Sequence, residues 1–534
     1  MMKVMKQVFY ILIVFLLAAC YDDKGNYDYE EINTITVLLD DVYSYRLDGD
    51  TTVCIIPELS QSLQKNRDNL EFMWVHSVIN EFIEGHDDND TISRIDTLRF
   101  HIVPDDPDLE YEHYFRLNVY DKLTEINYPF NVKIKLVKPY DGAWMILHNE
   151  NGHAALGAVE YMGNCILKTQ DAYYKETGKR LEGMAQCLGN YITYYYPYGR
   201  GEMFNLFSVI TDKPEESGVM CQWKKFELMS PLTKMVYSSD QSCFNYSNVK
   251  LIDGEASWGA VCLSDGVLFQ SPAAMKLYKA NIAADLGDNI RIKYASKAGF
   301  GAILYDEAGH RFCFYQNQSR STTGDPNRFN PTNENPSSYR INPVPKRDNN
   351  VTDVDVNNLP VEQKVLWVGA GYEFDPNNSR GFYANSVSIK GLDSCFVYEF
   401  NMDGMVSTVD GHPAFAGYYK LKLPEGMNEN SCFASTMSYS GILFYTVGNV
   451  VYRLDFKQSG GKATPVYTHA GGKATMMKFA KKAKINTNYL DFTNYEFDPN
   501  RSLGIVFDMG NGKCDFVVLN LSVTGGVGTD SENY

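Results

Sequence analysis

Cys20 carries the clearest chemistry in this chain. It closes the string Leu17-Ala18-Ala19-Cys20. Ahead of it, Lys3 and Lys6 precede the unbroken apolar run Val8 to Leu17. A basic start, an apolar run too short for a permanent span and small residues before the cleavage point are what a signal peptidase processes. The small side chains let the peptidase reach the backbone, and the thiol can take a lipid. Residues 1–19 therefore read as a signal peptide and Cys20 as the lipid attachment point. Tyr21 to Tyr29 (YDDKGNYDY) is polar and acidic, so residues 20–30 read as an anchor and flexible spacer. No other apolar run reaches the ~18 residues needed to cross a bilayer.

The remaining residues offer no catalytic constellation. The chain holds no H-E-x-x-H, G-x-S-x-G, P-loop or strand-linked G-x-G-x-x-G. Of the 9 histidines only His148 and His153 lie close, flanking an expected hairpin turn, and two ligands fall short of a zinc site. The 11 cysteines form no C-x-x-C pair; apart from Cys20, in strings such as Phe312-Cys313-Phe314 they read as small buried hydrophobes, with no disulfide pairing specified. Asp353-Val354-Asp355-Val356-Asn357 opens like a calcium loop, but Asn358 and Lys364 stand where the turn glycine and closing glutamate belong. No catalytic residue, metal ligand or cofactor is assigned. Aromatic side chains remain. Tyr191, Tyr194, Tyr195, Tyr196 and Tyr198 crowd before Gly199-Arg200-Gly201, and Trp258 precedes a strand start. Tyr194, Tyr195, Tyr196 and Trp258 are candidates for stacking on a sugar or gripping a peptide. The same tyrosines equally suit strands that cover a sheet face.

The elements that would hold these residues read as strands throughout. Over 31–138, short runs such as Leu70 to Val75, Tyr114 to Asp121 and Phe130 to Val137 (FNVKIKLV) alternate apolar and polar residues between polar turns, as in an Ig-like sandwich. Cys54 has no cysteine on the late strand to bridge to. From residue 139 a hairpin recurs. Gly142, Gly259, Gly301, Gly441 and Gly504 each open an apolar strand that ends in a glycine-bearing turn and leads to a second strand. Near-continuous apolar strands must be buried on both faces. Stacked four-stranded sheets around an axis meet that demand, and the 42-residue step from Gly259 to Gly301 matches one propeller blade. The fold class is all-β: a sandwich over 31–138, then a β-propeller of about seven or eight blades over 139–534. Tandem sandwiches are the competing architecture. Residues 318–362, rich in Ser, Asn, Pro and Asp, are expected as a long polar loop outside the blades. Ser-Cys-Phe recurs at 242–244, 394–396 and 431–433 as a second repeat signature. The formal net charge of −17, more negative once Lys3 and Lys6 leave with the signal peptide, argues against nucleic acid as a partner.

Leu17-Ala18-Ala19-Cys20 resembles the lipobox of bacterial lipoproteins, and Asp22 and Asp23 resemble the surface-export signal of Bacteroidota lipoproteins. The string YDDKGNYDY, with Trp74 and the late strand YFRLNVYD, resembles the PKD-like lipoproteins encoded beside Sus-type importers. The resemblance implies a lipid anchor in the outer membrane, facing the cell exterior. It also implies a non-catalytic role in capturing an oligosaccharide or peptide for a TonB-dependent Sus-type importer. The alternative is a surface-anchored propeller hydrolase or lyase acting on the same polymer. Convergent carboxylates would favour the enzyme, and a flat aromatic patch the capture module. Cys20→Ala should abolish incorporation of a labelled fatty acid; undiminished label on the variant would overturn the anchor assignment.

Overall fold

Alternation over Glu112–Asp121 sends His113, Phe115, Leu117, Val119 and Asp121 inward, and all five are buried. The computed structural model describes residues 32–533 apart from 50, 78–89, 104–110, 141, 163–164, 196–201, 222–224, 256–258, 272–275, 299–300, 317–339, 346–353, 374–380, 402–414, 437–438, 440, 481–500, 523–524 and 527–531. Cys20, Asp22 and Asp23 lie outside these residues. Two units are distinguished, Met1–Pro139 and Tyr140–Tyr534.

The first unit holds β1 (Ile35–Leu38), β2 (Val42–Arg46), β3 (Thr51–Ile55), β4 (Glu58–Gln61), β5 (Leu70–Ser77), β6 (Asp90–Ser93), β7 (Leu98–Ile102), β8 (Glu112–Asp121) and β9 (Ile126–Val137). A five-stranded sheet, β2-β9-β8-β5-β6, faces the pairs β1-β4 and β3-β7 across one core. Trp74, fully buried at its centre, donates its indole N–H to the Asp96 carbonyl at 3.0 Å. Asp121 is also buried, and is fully engaged: Asn33 and Asn69 donate to it at 2.9 and 2.7 Å, joined by the Leu123 N–H and the Thr124 hydroxyl. Burial pushes its pKa up, but these hydrogen bonds outweigh that and hold the carboxyl below the ordinary Asp value. His76 Nε2 and His113 Nδ1 meet at 3.1 Å beside Phe100 and Phe115. Burial, then the neighbouring His113, lowers His76 to about 4, so it is neutral at physiological pH.

The second unit is a β-propeller of seven blades among the described residues. Blade 1 comprises Trp144–Glu150, His153–Met162 and Cys165–Thr169. Blade 2 follows with Ala185–Tyr195, Glu202–Thr211, Gly218–Cys221 and Glu227–Pro231. Blade 3 is Val249–Glu255, Gly259–Ser264, Val267–Ser271 and Tyr278–Lys279. Blade 4 is Ile292–Ala298, Gly301–Asp306, Arg311–Gln316 and Arg340–Pro343, with Asn281–Ile282 added at its edge. Blades 5 and 6 start at Gln363–Glu373 and Phe433–Ala434. Blade 7 is Lys473–Phe479, Ser502–Gly510, Lys513–Asn520 and Glu532–Asn533. In blades 3, 4, 6 and 7 the glycine-led strand of the repeat is the second strand, and its partner is the third. Trp144–Glu150 makes the same hairpin in blade 1, where no strand precedes it in the sheet among the described residues. Three of the turns, Asn151-Gly152, Asp265-Gly266 and Asn511-Gly512, have positive φ at both residues, the conformation that suits a two-residue hairpin and favours Asn, Asp and Gly.

Alternate residues of each strand face opposite neighbours. Ala260 and Cys262 pack toward blade 2, while Val261 and Leu263 pack toward blade 4. In blade 5, Phe396, Tyr398 and Phe400 meet blade 4, and Cys395 and Val397 meet blade 6. Blades 1 and 2, and blades 6 and 7, share cores in the same way. The remaining junction joins blade 7 to blade 1. There Trp144 packs edge-on against Phe516, with centroids 5.6 Å apart, and lies over Gly504. A Cβ on Gly504 would come within 2.7 Å of Trp144 Cζ3, so the close approach requires glycine.

Two expectations need correction. Residues 318–362 are not all outside the blades. Arg340–Pro343 is the fourth strand of blade 4, pairing with Arg311–Gln316, and Val344, Val356 and Leu359 are buried between blades 4 and 5. A few apolar residues suffice because Asn357 both accepts from the Val344 N–H at 2.9 Å and donates to its carbonyl at 2.8 Å. Residues 317–339 lie outside the described part. Ser-Cys-Phe marks no single structural position: Ser242 and Cys243 lie in a 3-10 turn, Ser394–Phe396 opens a third strand, and Ser431 and Cys432 precede a first strand.

Gly504→Ala should destabilise the propeller by about 1–3 kcal/mol through overpacking, and Trp144→Ala by about 3–5 kcal/mol through a cavity. Trp144→Leu should recover part of the loss in Gly504→Ala. Thermal melts of the single and double variants measure this; strictly additive losses would contradict direct packing of the two residues.

Candidate functional site

The two ends of the propeller are built differently. At one end, second and third strands join through tight turns, among them Asp265-Gly266 and Gly448-Asn449. From the other end run the connectors between first and second strands, such as 196–201, 374–380 and 480–501. The connectors 317–339 and 402–414, between third and fourth strands, leave from that end too. The links between blades, such as 232–248 and 344–362, start and finish at the tight-turn end. A rigid ring that fixes the roots of its connectors is an arrangement suited to ligand contact.

The candidate tyrosines belong to the end opposite the tight turns. Tyr194 and Tyr195 are the last residues of Ala185–Tyr195, paired with Met203 and Glu202. The neighbouring first strand, Val249–Glu255, runs parallel to it through the pair Tyr191↔Gly254, so both strands finish at the same end. This bridge merges blades 2 and 3 into one eight-stranded sheet. Tyr196 and Trp258 lie outside the described residues, one beyond Tyr195 and three beyond Glu255. The fold therefore brings together the strand ends that lead to all four candidates.

The tight-turn end carries a charged group that sequence reasoning missed. Lys293 and Glu307 are 2.5 Å apart, and Lys364 pairs with Glu429, around the half-buried Tyr294. The hydrogen bond to Glu307 raises Lys293, and the same bond lowers Glu307. Buried Asp306 accepts from Arg311 Nε at 2.9 Å and from the Arg291 N–H at 3.0 Å, and Arg311 also donates to the Leu286 carbonyl. These charges hold turns together, each engaged by a neighbour. Their partners lie across hairpins or on other blades, where no sequence pattern points to them.

The remaining candidates are separate. His148 meets the Gln170 carbonyl at 3.2 Å, whereas His153 contacts Arg180, so the pair is not joined. Among the described residues no group of three or more His, Cys, Asp or Glu is placed to hold a metal ion. Burial pushes the Cys313 and Cys395 thiols up to about 12, which keeps them protonated and poor nucleophiles. Cys54 and Cys514 are exposed, unlike the buried role expected of the cysteines. No helix among the described residues is long and apolar enough to cross a membrane.

An Ig-like sandwich followed by a β-propeller defines the class of architecture. The model of the PKD-like family matches residues 20–184, covering the sandwich and the strands of blade 1. Comparison with curated protein sequences returns no match. Among solved structures, the chain is similar to a quinoprotein alcohol dehydrogenase-like protein of Bacteroides thetaiotaomicron, at 11% identity over 91% of this chain and 92% of that one, TM-score 0.33. It is also similar to the extracellular domain of a putative one-component system from the same organism, at 8% identity over 79% and 72%, TM-score 0.24. A third is the WD40 domain of SCAP from fission yeast, at 11% identity over 66% and 74%, TM-score 0.27.

If the strand end is a binding platform, Tyr194→Ala or Tyr195→Ala should weaken binding of a polymer fragment with the melting temperature nearly fixed. If the tyrosines are packing residues, the buried one should cost about 3–5 kcal/mol. Calorimetry on both variants with parallel melts separates the outcomes, and early melting of both would remove them from the site.

Proposed function

We propose that the protein is a cell-surface lipoprotein that captures an oligosaccharide or peptide without altering it and delivers it to a TonB-dependent importer of the Sus type. The observation that carries this reading is where the PKD-like match begins: on Cys20 itself, the residue at which the signal peptide would be cut. Lipid anchor, acidic spacer and sandwich then form one unit. The connectors at the end where Ala185–Tyr195 and Val249–Glu255 finish supply a place for ligand contact. Binding there would be weak, because few contacts are buried, and a shared membrane raises the effective concentration of the importer. A hydrolase or lyase on the same scaffold is the other reading, and it would need convergent carboxylates at that end.

Proteinase added to intact cells should remove the protein, and replacing Asp22 and Asp23 together by alanine should leave more of it protected. Full protection of the wild type would overturn surface display. New chain ends released from a bound polymer by purified protein would decide for the enzyme.

A further inference from the structure

The five-stranded sheet of the first unit has a second face, opposite its core. β8 sends Glu112, Tyr114, Arg116, Asn118 and Tyr120 to that face, and β9 adds Asn127, Pro129, Asn131, Lys133 and Lys135. Register sets Tyr120 against Asn127, Arg116 against Asn131 and Glu112 against Lys135. On the other flank, β5 places Val75 beside Arg116 and Glu71 beside Tyr120. Tyr120, Asn127, Asn131 and Lys135 are exposed.

Two features separate this face from ordinary solvated surface. Its polar groups are oriented in planes: Arg116 Nε donates to Asn131 Oδ1 at 3.0 Å, and Asn127 Nδ2 donates to Asn118 Oδ1 at 3.3 Å. Its charge also opposes that of the chain. Lys133 pairs with Glu112 at 2.8 Å and lies over the Tyr114 ring, and Lys122 pairs with Glu71 at 3.2 Å. With Arg116 and Lys135 added, cations outnumber anions here in a protein of formal charge −17.

We propose that this face binds a carboxylate-bearing polysaccharide. Arg116 and Lys135 meet the carboxylates, Tyr120 stacks under a sugar ring, and the amides of Asn118 and Asn127 take hydroxyl groups. A guanidinium fork matches a carboxylate in geometry as well as charge. From Tyr120 to Arg116 is about 13 Å along the strand, so the ligand is an extended chain rather than a single sugar. Nucleic acid would pay for its dense phosphates against the surrounding negative field, and so few cations would neutralise little of it. The site lies in the first unit, not in the one that carries the propeller tyrosines, and is independent of the capture reading.

Affinity electrophoresis of the full mature protein through gels containing polygalacturonate or neutral dextran tests it. Polygalacturonate should retard the wild type, and dextran should not. Tyr120→Ala, and Arg116→Ala combined with Lys135→Ala, should each weaken the apparent affinity about tenfold. Lys135→Arg should keep it. Lys135→Ala alone, at an exposed position, keeps the test valid if the double variant misfolds, and circular dichroism checks each fold. An unretarded wild type, or face variants retarded like wild type, would overturn the site. Equal retardation by dextran sulfate would overturn the carboxylate assignment, since charge density alone would then explain binding. Loss of retardation in Tyr194→Ala alone would move the site to the propeller and leave the capture reading standing.

Discussion

A strand that is apolar on both faces cannot lie at the end of a stack. In the third strand of blade 5, Phe396, Tyr398 and Phe400 need one neighbouring sheet, and Cys395 and Val397 need another. The same holds for Gly259–Ser264 in blade 3 and Gly301–Asp306 in blade 4. If each sheet demands two neighbours, the stack must close on itself. The closing contact is Trp144 over Gly504 and Phe516. Among the described residues each blade is built from strands close in sequence, and Glu532–Asn533 pairs within blade 7. At this junction the indole therefore does by packing what an exchanged strand would do by hydrogen bonds.

Closure also separates two kinds of chemistry. At the tight-turn end, a buried carboxylate such as Asp306 is tolerable only because Arg311 and a backbone N–H engage it. Exposed pairs such as Lys364 and Glu429 add little stability. The thiols inside the ring follow the same rule of burial. Desolvation keeps them protonated, so Cys262, Cys313 and Cys395 serve as small apolar spacers between blades.

What could be read from the sequence was whatever a local rule enforces. The blades announce themselves through Asn-Gly and Asp-Gly because such pairs readily adopt the two successive positive φ values of the hairpin turn. The sandwich is legible in β8, whose strict alternation leaves one face buried. Composition misled at 318–362, where four apolar residues, Ile341, Val344, Val356 and Leu359, are enough to bind parts of a polar stretch to blades 4 and 5. Ser-Cys-Phe misled because three residues carry no register. Interactions that join distant parts, such as Trp144 with Gly504 or Asn33 with Asp121, leave no local trace; they depend on topology that the sequence states only indirectly.

The two units solve the problem of presenting a surface in opposite ways. The propeller buries both faces of its sheets and exposes strand ends, so any contact it makes must come from connectors rooted on those ends. The sandwich buries one face of β2-β9-β8-β5-β6 and leaves the other to solvent, so its contacts come from the flat of the sheet. A flat face with fixed planar groups suits a long, repetitive chain, because successive units can meet the same kind of group at the spacing of alternate residues, about 6.6 Å. A ring of connectors suits a ligand end or a bend. On one tether, weak contacts of these two kinds to one polymer would multiply rather than add, because once the first site is occupied the second meets its ligand at a concentration set by the chain between them.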